Sequence, residues 1–156
     1  MFLCRLPVAV FAVLAVASHT AAQTPIANAD LWVQCKNQQG EKALSACTQI
    51  IDNKIENGVR LARAYNLRAV IQQRQGQLDL AIADFSHGIR LMRDAGQSGW
   101  ELAFTYFMRA NTYRAMGDLD QAIIDHTESI GVAPGWDKSY NDFQAQTVRG
   151  DQPSNG

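Results

Sequence analysis

The sequence predicts an all-α fold, a short α-solenoid of about 2.5 to 3 stacked helix-turn-helix repeats with a C-terminal capping helix. Three observations carry that reading. Apolar residues recur at helical spacing along nearly the whole chain, and no long alternating segment marks a strand. Gly40, Gly76 and Gly117 each interrupt the helical pattern where a turn would fall. The chain also matches itself: Ala43-Leu44-Ser45-Ala46-Cys47-Thr48-Gln49-Ile50-Ile51 corresponds to the nine residues from Ala81 to Ile89, and again to those from Ala122 to Ile130, at spacings of 38 and 41. One amphipathic hairpin cannot bury its apolar face alone, so such units must stack on their neighbours.

The first segment stands apart from this pattern. Met1 to Arg5 is a short basic start, Leu6 to Ala17 is almost wholly apolar, and small residues precede Gln23, which together describe a secretory signal peptide. As a helix the apolar run would span about 18 Å at ~1.5 Å per residue, well short of a ~30 Å hydrocarbon core. Residues 1–22 are therefore expected to be cleaved, leaving a single domain over 23–149 with no stable membrane insertion. Cys4 leaves with the leader, and the remaining pair, Cys35 and Cys47, is expected to form a disulfide in an oxidising compartment. Their separation is too long for a CxxC redox site, and no His pair stands beside them at zinc-finger spacing.

Composition removes other function classes. With 156 residues, 47% hydrophobic and 19% charged, a net charge of -1 and a pI near 6.3, the chain lacks the clustered basic surface that nucleic acid requires. Its apolar content is also too low for a multi-span membrane protein.

Each repeat has its own local logic. Tyr65, Arg68, Ala69 and Gly76 return as Tyr106, Arg109, Ala110 and Gly117 at identical offsets. Small alanines fall where the two helices of a unit should cross, Ala69 against Ala81 and Ala110 against Ala122, and let the backbones approach closely. Arg68 and Asp84 lie 16 residues apart, as do Arg109 and Asp125, one member on each helix of a unit. In the first unit Trp32 and Ala46 take the corresponding places, so both members of the pair are apolar together. Largely buried intra-repeat ion pairs are expected. The first unit is also expected to have a shorter turn, between Gly40 and Ala43, and to be stapled by the Cys35–Cys47 bridge.

The residues Tyr65, Ala69, Gly76, Ala81, Phe85 and Ile89, followed by Tyr106, Ala110, Tyr113, Gly117, Ala122, Ile130 and Pro134, resemble the tetratricopeptide repeat, a helix-turn-helix unit of 34 residues. The resemblance places repeats near 29–54, 62–95 and 103–136, with an insertion around Asp94 to Trp100 and with Gln72 and His126 replacing expected aromatics. The Arg-Ala, Gly and Ala-Ile-x-Asp elements resemble the variant found in exported bacterial repeat proteins, which implies a periplasmic or secreted location. In such repeats the first helices line a concave groove. Here the resemblance assigns that groove to Arg63, Asn66, Val70, Gln73 and Arg74, then Phe104, Phe107, Asn111 and Arg114. Arg and Asn can hold a peptide backbone or a carboxylate, and the two Phe residues offer aromatic anchors. The alternative is that both Phe side chains are covered, by the C-terminal segment or by a second copy of the chain. The lysine and asparagine arrangement of repeats that clamp chaperone C-termini is not reproduced.

Trp136, Tyr140, Phe143 and Val148 recur at roughly helical intervals, so 136–149 reads as the capping helix, and polar 150–156 as a disordered tail. No GxSxG, HExxH, P-loop or GxGxxG is present. His126 aligns with Phe85 and reads as a semi-core residue, and His87 as a solvated one. Neither pairs with a nucleophile or completes a metal set, so no catalytic residue, metal or cofactor is expected. The function implied is an exported scaffold or adaptor that binds a protein or peptide. The other reading is a self-associating component of the cell envelope, a homo-oligomer.

Overall fold

A computed structural model describes residues 25–37 and 39–138. The expected leader, the capping segment beyond 138 and the tail lie outside these residues. Six helices follow one another: α1 (Pro25–Lys36), α2 (Gly40–Asp52), α3 (Gly58–Arg74), α4 (Leu78–Asp94), α5 (Trp100–Met116) and α6 (Leu119–Val132), and a further helical turn opens at 136–138. Among the described residues there is no strand. The chain is all-α and built of stacked helical hairpins.

The turns show why these helices end where they do. At the end of α3, Gly76 N–H donates to Gln73 O and Gln77 N–H to Gln72 O, and Gly76 adopts φ +74°. That is the Schellman arrangement, which satisfies otherwise orphaned carbonyls and requires a left-handed residue that glycine supplies without strain. Gly117, at φ +86°, closes α5 with the same bond pattern to Arg114 and Tyr113. The first turn departs from expectation. Gly40 opens α2 rather than ending α1, so the turn at 37–39 is as long as the one at 75–77 and is not shortened. Counted from the helix ends, Asp30, which is exposed, and not Trp32 stands in register with Arg68.

The expected insertion is absorbed into helix length. Helices α3, α4 and α5 each contain 17 residues, and the spacings of 38 and 41 exceed the 34-residue unit by about one and about two helical turns. Whole turns preserve the buried face, so the stack stays in register while each hairpin lengthens.

Packing runs along the chain. Trp32, Cys35, Cys47, Ile50 and Ile51 form one cluster with Ala64 and Ile71 of the next hairpin; Ala69, Val70, Ala81 and Phe85 form a second; Ala62, Ile89, Met92, Leu102 and Tyr106 form a third across the α4–α5 boundary. The alanine crossings are fully or nearly fully buried at all four positions. The last repeat breaks the pattern. Ile51 and Ile89 are 9% and 6% exposed because the following helix covers them, whereas Ile130, at the same repeat position, is 60% exposed.

The backbones of α1 and α3, and of α3 and α5, approach one another more closely than those of α2 and α4 or of α4 and α6, the last pair being spanned by the long side chains of the Arg93–Glu128 ion pair at 2.8 Å. First helices are thus drawn together while second helices fan apart, which makes the first-helix side the concave one.

Candidate protein-binding groove

The wall of α1, α3 and α5 is held by side-chain ties between hairpins. Asn66 Nδ2 donates to Thr105 Oγ1 at 2.8 Å and Gln73 Nε2 to Thr112 Oγ1 at 2.8 Å. Both threonines are fully buried, and each donates its own proton to a carbonyl one turn back, Glu101 O and Met108 O. Every hydroxyl thus works twice, as an acceptor between hairpins and as a donor within its helix.

The ion pairs stand behind this wall. Arg68 and Asp84 meet in a two-point fork, Nε to Oδ2 at 2.7 Å and Nη2 to Oδ1 at 2.9 Å, and Arg109 and Asp125 repeat it at 2.7 and 2.8 Å. The carboxylates are 6% and 3% exposed and both guanidinium side chains 18%. The third guanidinium nitrogen reaches back to the preceding hairpin, Arg68 Nη1 to Thr48 Oγ1 at 3.3 Å and Arg109 Nη1 to Ser86 Oγ at 2.8 Å. Each arginine therefore joins three helices. The hydrogen bond to Asp84 raises Arg68 above the usual arginine range. At Arg109 burial opposes the charge most strongly, and the hydrogen bond to Asp125 together with the attraction of its charge and of Tyr113 and Tyr106 carries the shift upward. The Cys35–Cys47 disulfide, with Cα atoms 4.9 Å apart, ties α1 to α2, and both cysteines are fully buried.

Of the nine residues assigned to the groove, the structure leaves only part of the set facing outward. Arg63, Arg74 and Arg114 are exposed, and Asn111 is half-buried. Val70 is a core residue, 7% exposed, and the amides of Asn66 and Gln73 are committed to the threonines of α5. Val70 and Gln73 are corrected from groove to framework, because the first helices pack so closely that side chains on their shared edge face one another, whereas Asn66 also lines a pocket beside Trp32 and Phe104. Phe104 and Phe107 are half-buried under the Trp136 ring, at centroid distances of 6.3 and 5.2 Å, and His126 lies 5.4 Å from Phe107. Trp136 is itself buried. His87 is not a plain surface residue: it stacks on Tyr65 at 5.0 Å and its Nδ1 lies 2.7 Å from Arg90 Nη2. Among the described residues no group of three or more His, Cys, Asp or Glu could hold a metal ion, and no helix is long and apolar enough to cross a membrane.

The open part of the wall lies nearer the N-terminal end than the sequence suggested. Two adjoining pockets of about 340 and 330 Å3 share Trp32, Lys36 and Arg63. The first adds Ala29, Val33 and Arg60, and the second adds Leu67, Met92, Trp100 and Phe104 among others. Trp100 is 63% exposed and Val33 69%. Glu56 accepts from Arg60 at 2.7 Å and from Trp32 Nε1 at 2.8 Å, and Glu101 pairs with Arg63 at 2.6 Å. A signal for this region was present. Trp100, Phe104, Phe107, Asn111 and Arg114 form one continuous stripe, and extending it a turn past Phe104 reaches Trp100.

Residues 60–134 fit the family model described as Tetratricopeptide repeat. Neither a search of curated proteins nor one of solved structures found a match. The matched span opens near the start of α3 and closes just after α6, the two hairpins in which the Arg–Asp fork, the glycine-closed turn and the alanine crossing all recur. With that geometry, residues 60–134 of this chain are similar to the tetratricopeptide repeat family.

Proposed function

We propose that the chain is an exported scaffold or adaptor that binds a protein or peptide on the concave side of its first helices and performs no chemistry of its own. Tetratricopeptide repeats generally mediate protein–protein interaction, and one observation supports binding at this wall: two adjoining pockets cross α1, α3 and α5 and leave Trp100 exposed at their rim. Export to the periplasm or beyond is supported by the apolar run Leu6 to Ala17 and by the Cys35–Cys47 bridge. The self-associating reading relied on free faces at Phe104 and Phe107, and the Trp136 ring against both favours the adaptor.

The test is affinity capture from envelope extract with the wild type and with Arg63→Ala/Trp100→Ser. A partner retained by the first and lost by the second supports the reading. Identical partner lists would remove the groove. Light scattering of the purified chain is expected to give a concentration-independent monomer, and intact mass of secreted material a chain that begins at Gln23.

A further inference from the structure

We propose that the pocket between Trp32, Trp100 and Phe104 receives a bulky apolar side chain from an extended partner segment, and that an Asp or Glu beside it is held by Lys36 and Arg63. This rests on the scaffold reading above and names the chemistry of the partner.

The pocket's floor and walls are mostly apolar, Trp32, Leu67, Met92, Trp100 and Phe104, with the Asn66 amide among them. Its volume of about 330 Å3 sits at the lower end of the ~300–1,000 Å3 typical of small ligand sites, a size for one or two side chains rather than for a folded surface. Trp100 gains nothing from the fold at 63% exposure, yet a rim tryptophan that becomes desolvated on binding is the residue type most enriched among interface hot spots.

Charge selects the neighbour. Three cations, Lys36, Arg60 and Arg63, line the two pockets against one carboxylate, Glu101, with a second, Glu56, paired to Arg60 outside the lining. Glu56 is occupied by Arg60 and Trp32, and Glu101 by Arg63. Lys36 lies 5.9 Å from the Trp32 ring centroid, and no carboxylate among the described residues is within ion-pair distance of it. Arg63 is 52% exposed and uses one nitrogen on Glu101, leaving further donors of its fork available. The rim is thus locally positive in a chain whose net charge is -1. A basic segment would meet like charge, whereas an acidic one finds a lysine already positioned over the aromatic wall.

The experiment is selection from a random dodecapeptide display library on the protein expressed from its full reading frame, followed by titration of a synthetic selected peptide against intrinsic tryptophan fluorescence. Enriched peptides are expected to place Leu, Ile, Met or Phe beside Asp or Glu. Their affinity is expected to fall about tenfold in Trp100→Ser and several-fold in Lys36→Gln, and to weaken with added salt. Both positions are exposed, so both variants are expected to keep the wild-type circular dichroism and melting temperature. A basic or purely polar consensus, or affinities unchanged in both variants, overturns the proposal. If such peptides still bind competitively with the captured partner and are weakened by Arg74→Ala/Arg114→Ala, the scaffold reading survives while this pocket's role does not. No selectable peptide, together with identical capture lists, overturns both.

Discussion

Gly88 on α4 leaves unfilled the space that the Asn66 carboxamide of α3 occupies. A Cβ built on Gly88 would collide with Asn66 Oδ1 and lie 3.0 Å from Asn66 Cγ and 3.4 Å from Ala62 O. A glycine inside a helix costs about 1 kcal/mol relative to alanine, so helix propensity alone says that Gly88→Ala should stabilise. The close approach reverses the sign. We expect Gly88→Ala to destabilise by about 1–3 kcal/mol through overpacking, read by urea denaturation. In Asn66→Ser/Gly88→Ala much of that loss should return, and a rise in stability from Gly88→Ala alone would refute the contact's importance.

Truncating either buried carboxylate strands a guanidinium that joins three helices. Asp84→Ala and Asp125→Ala are each expected to cost about 3–5 kcal/mol, the scale for removing one partner of a buried pair. Thermal denaturation checks this, and an unchanged melting temperature in both variants would show the forks to be energetically idle. Because the arginines lie above their usual range, the guanidinium side of each fork stays charged at all ordinary pH values and loses its proton only in strong alkali.

Reduction of Cys35–Cys47 should act on one end of the array. A loop of this size corresponds to about 3 kcal/mol in the chain-entropy model. Hydrogen exchange is expected to speed up in α1 and α2 on reduction while amides in α4 and α5 change little. Uniform acceleration along all six helices would contradict a local staple. Intact mass should be two hydrogens below that of the reduced chain.

Tyr106 titrates late. Burial disfavours its phenolate and outweighs the attraction of Arg93 and Arg109, which places its ionisation above the ordinary tyrosine range. A group raised in the folded state contributes stability that is complete below its unfolded value, ~10 for tyrosine, and that is lost as pH rises through the folded value. Absorbance at tyrosinate wavelengths should therefore contain a late-titrating component from Tyr106, with unfolding following at higher pH. In Tyr106→Phe that late component should vanish.

Much of the fold was legible in the sequence because repetition converts weak local signals into a strong one. The Arg68–Asp84 and Arg109–Asp125 spacings, the alanine crossings and Gly76 and Gly117 all recur at fixed offsets, and each recurrence names a contact or a turn. The groove was less legible. Asn66, Gln73 and Val70 occupy the same helix face as Arg63 and Arg74, and only the distance between neighbouring first helices decides which of them meets solvent. Gly40 misled for a related reason. Its φ of +67° suits a turn residue, but whether such a residue ends one helix or opens the next depends on backbone bonds that residue type does not encode. Trp100 escaped notice because it borders a stretch that looked like an insertion, when two of its neighbouring helices had simply grown longer.

The bridge at one end and the bare Ile130 at the other give the stack a direction in which it comes apart. Covalent restraint keeps α1 and α2 together even when their packing loosens, while among the described residues α6 has no disulfide and Ile130 is left largely exposed. Under heat, force or protease the array should therefore fray from α6 inward, and the pocket between α1, α3 and α5 should persist only while α5, which carries Trp100 and Phe104, stays docked on α3. A partner seated there would brace α5 against α3 and so oppose the loss of the last repeat.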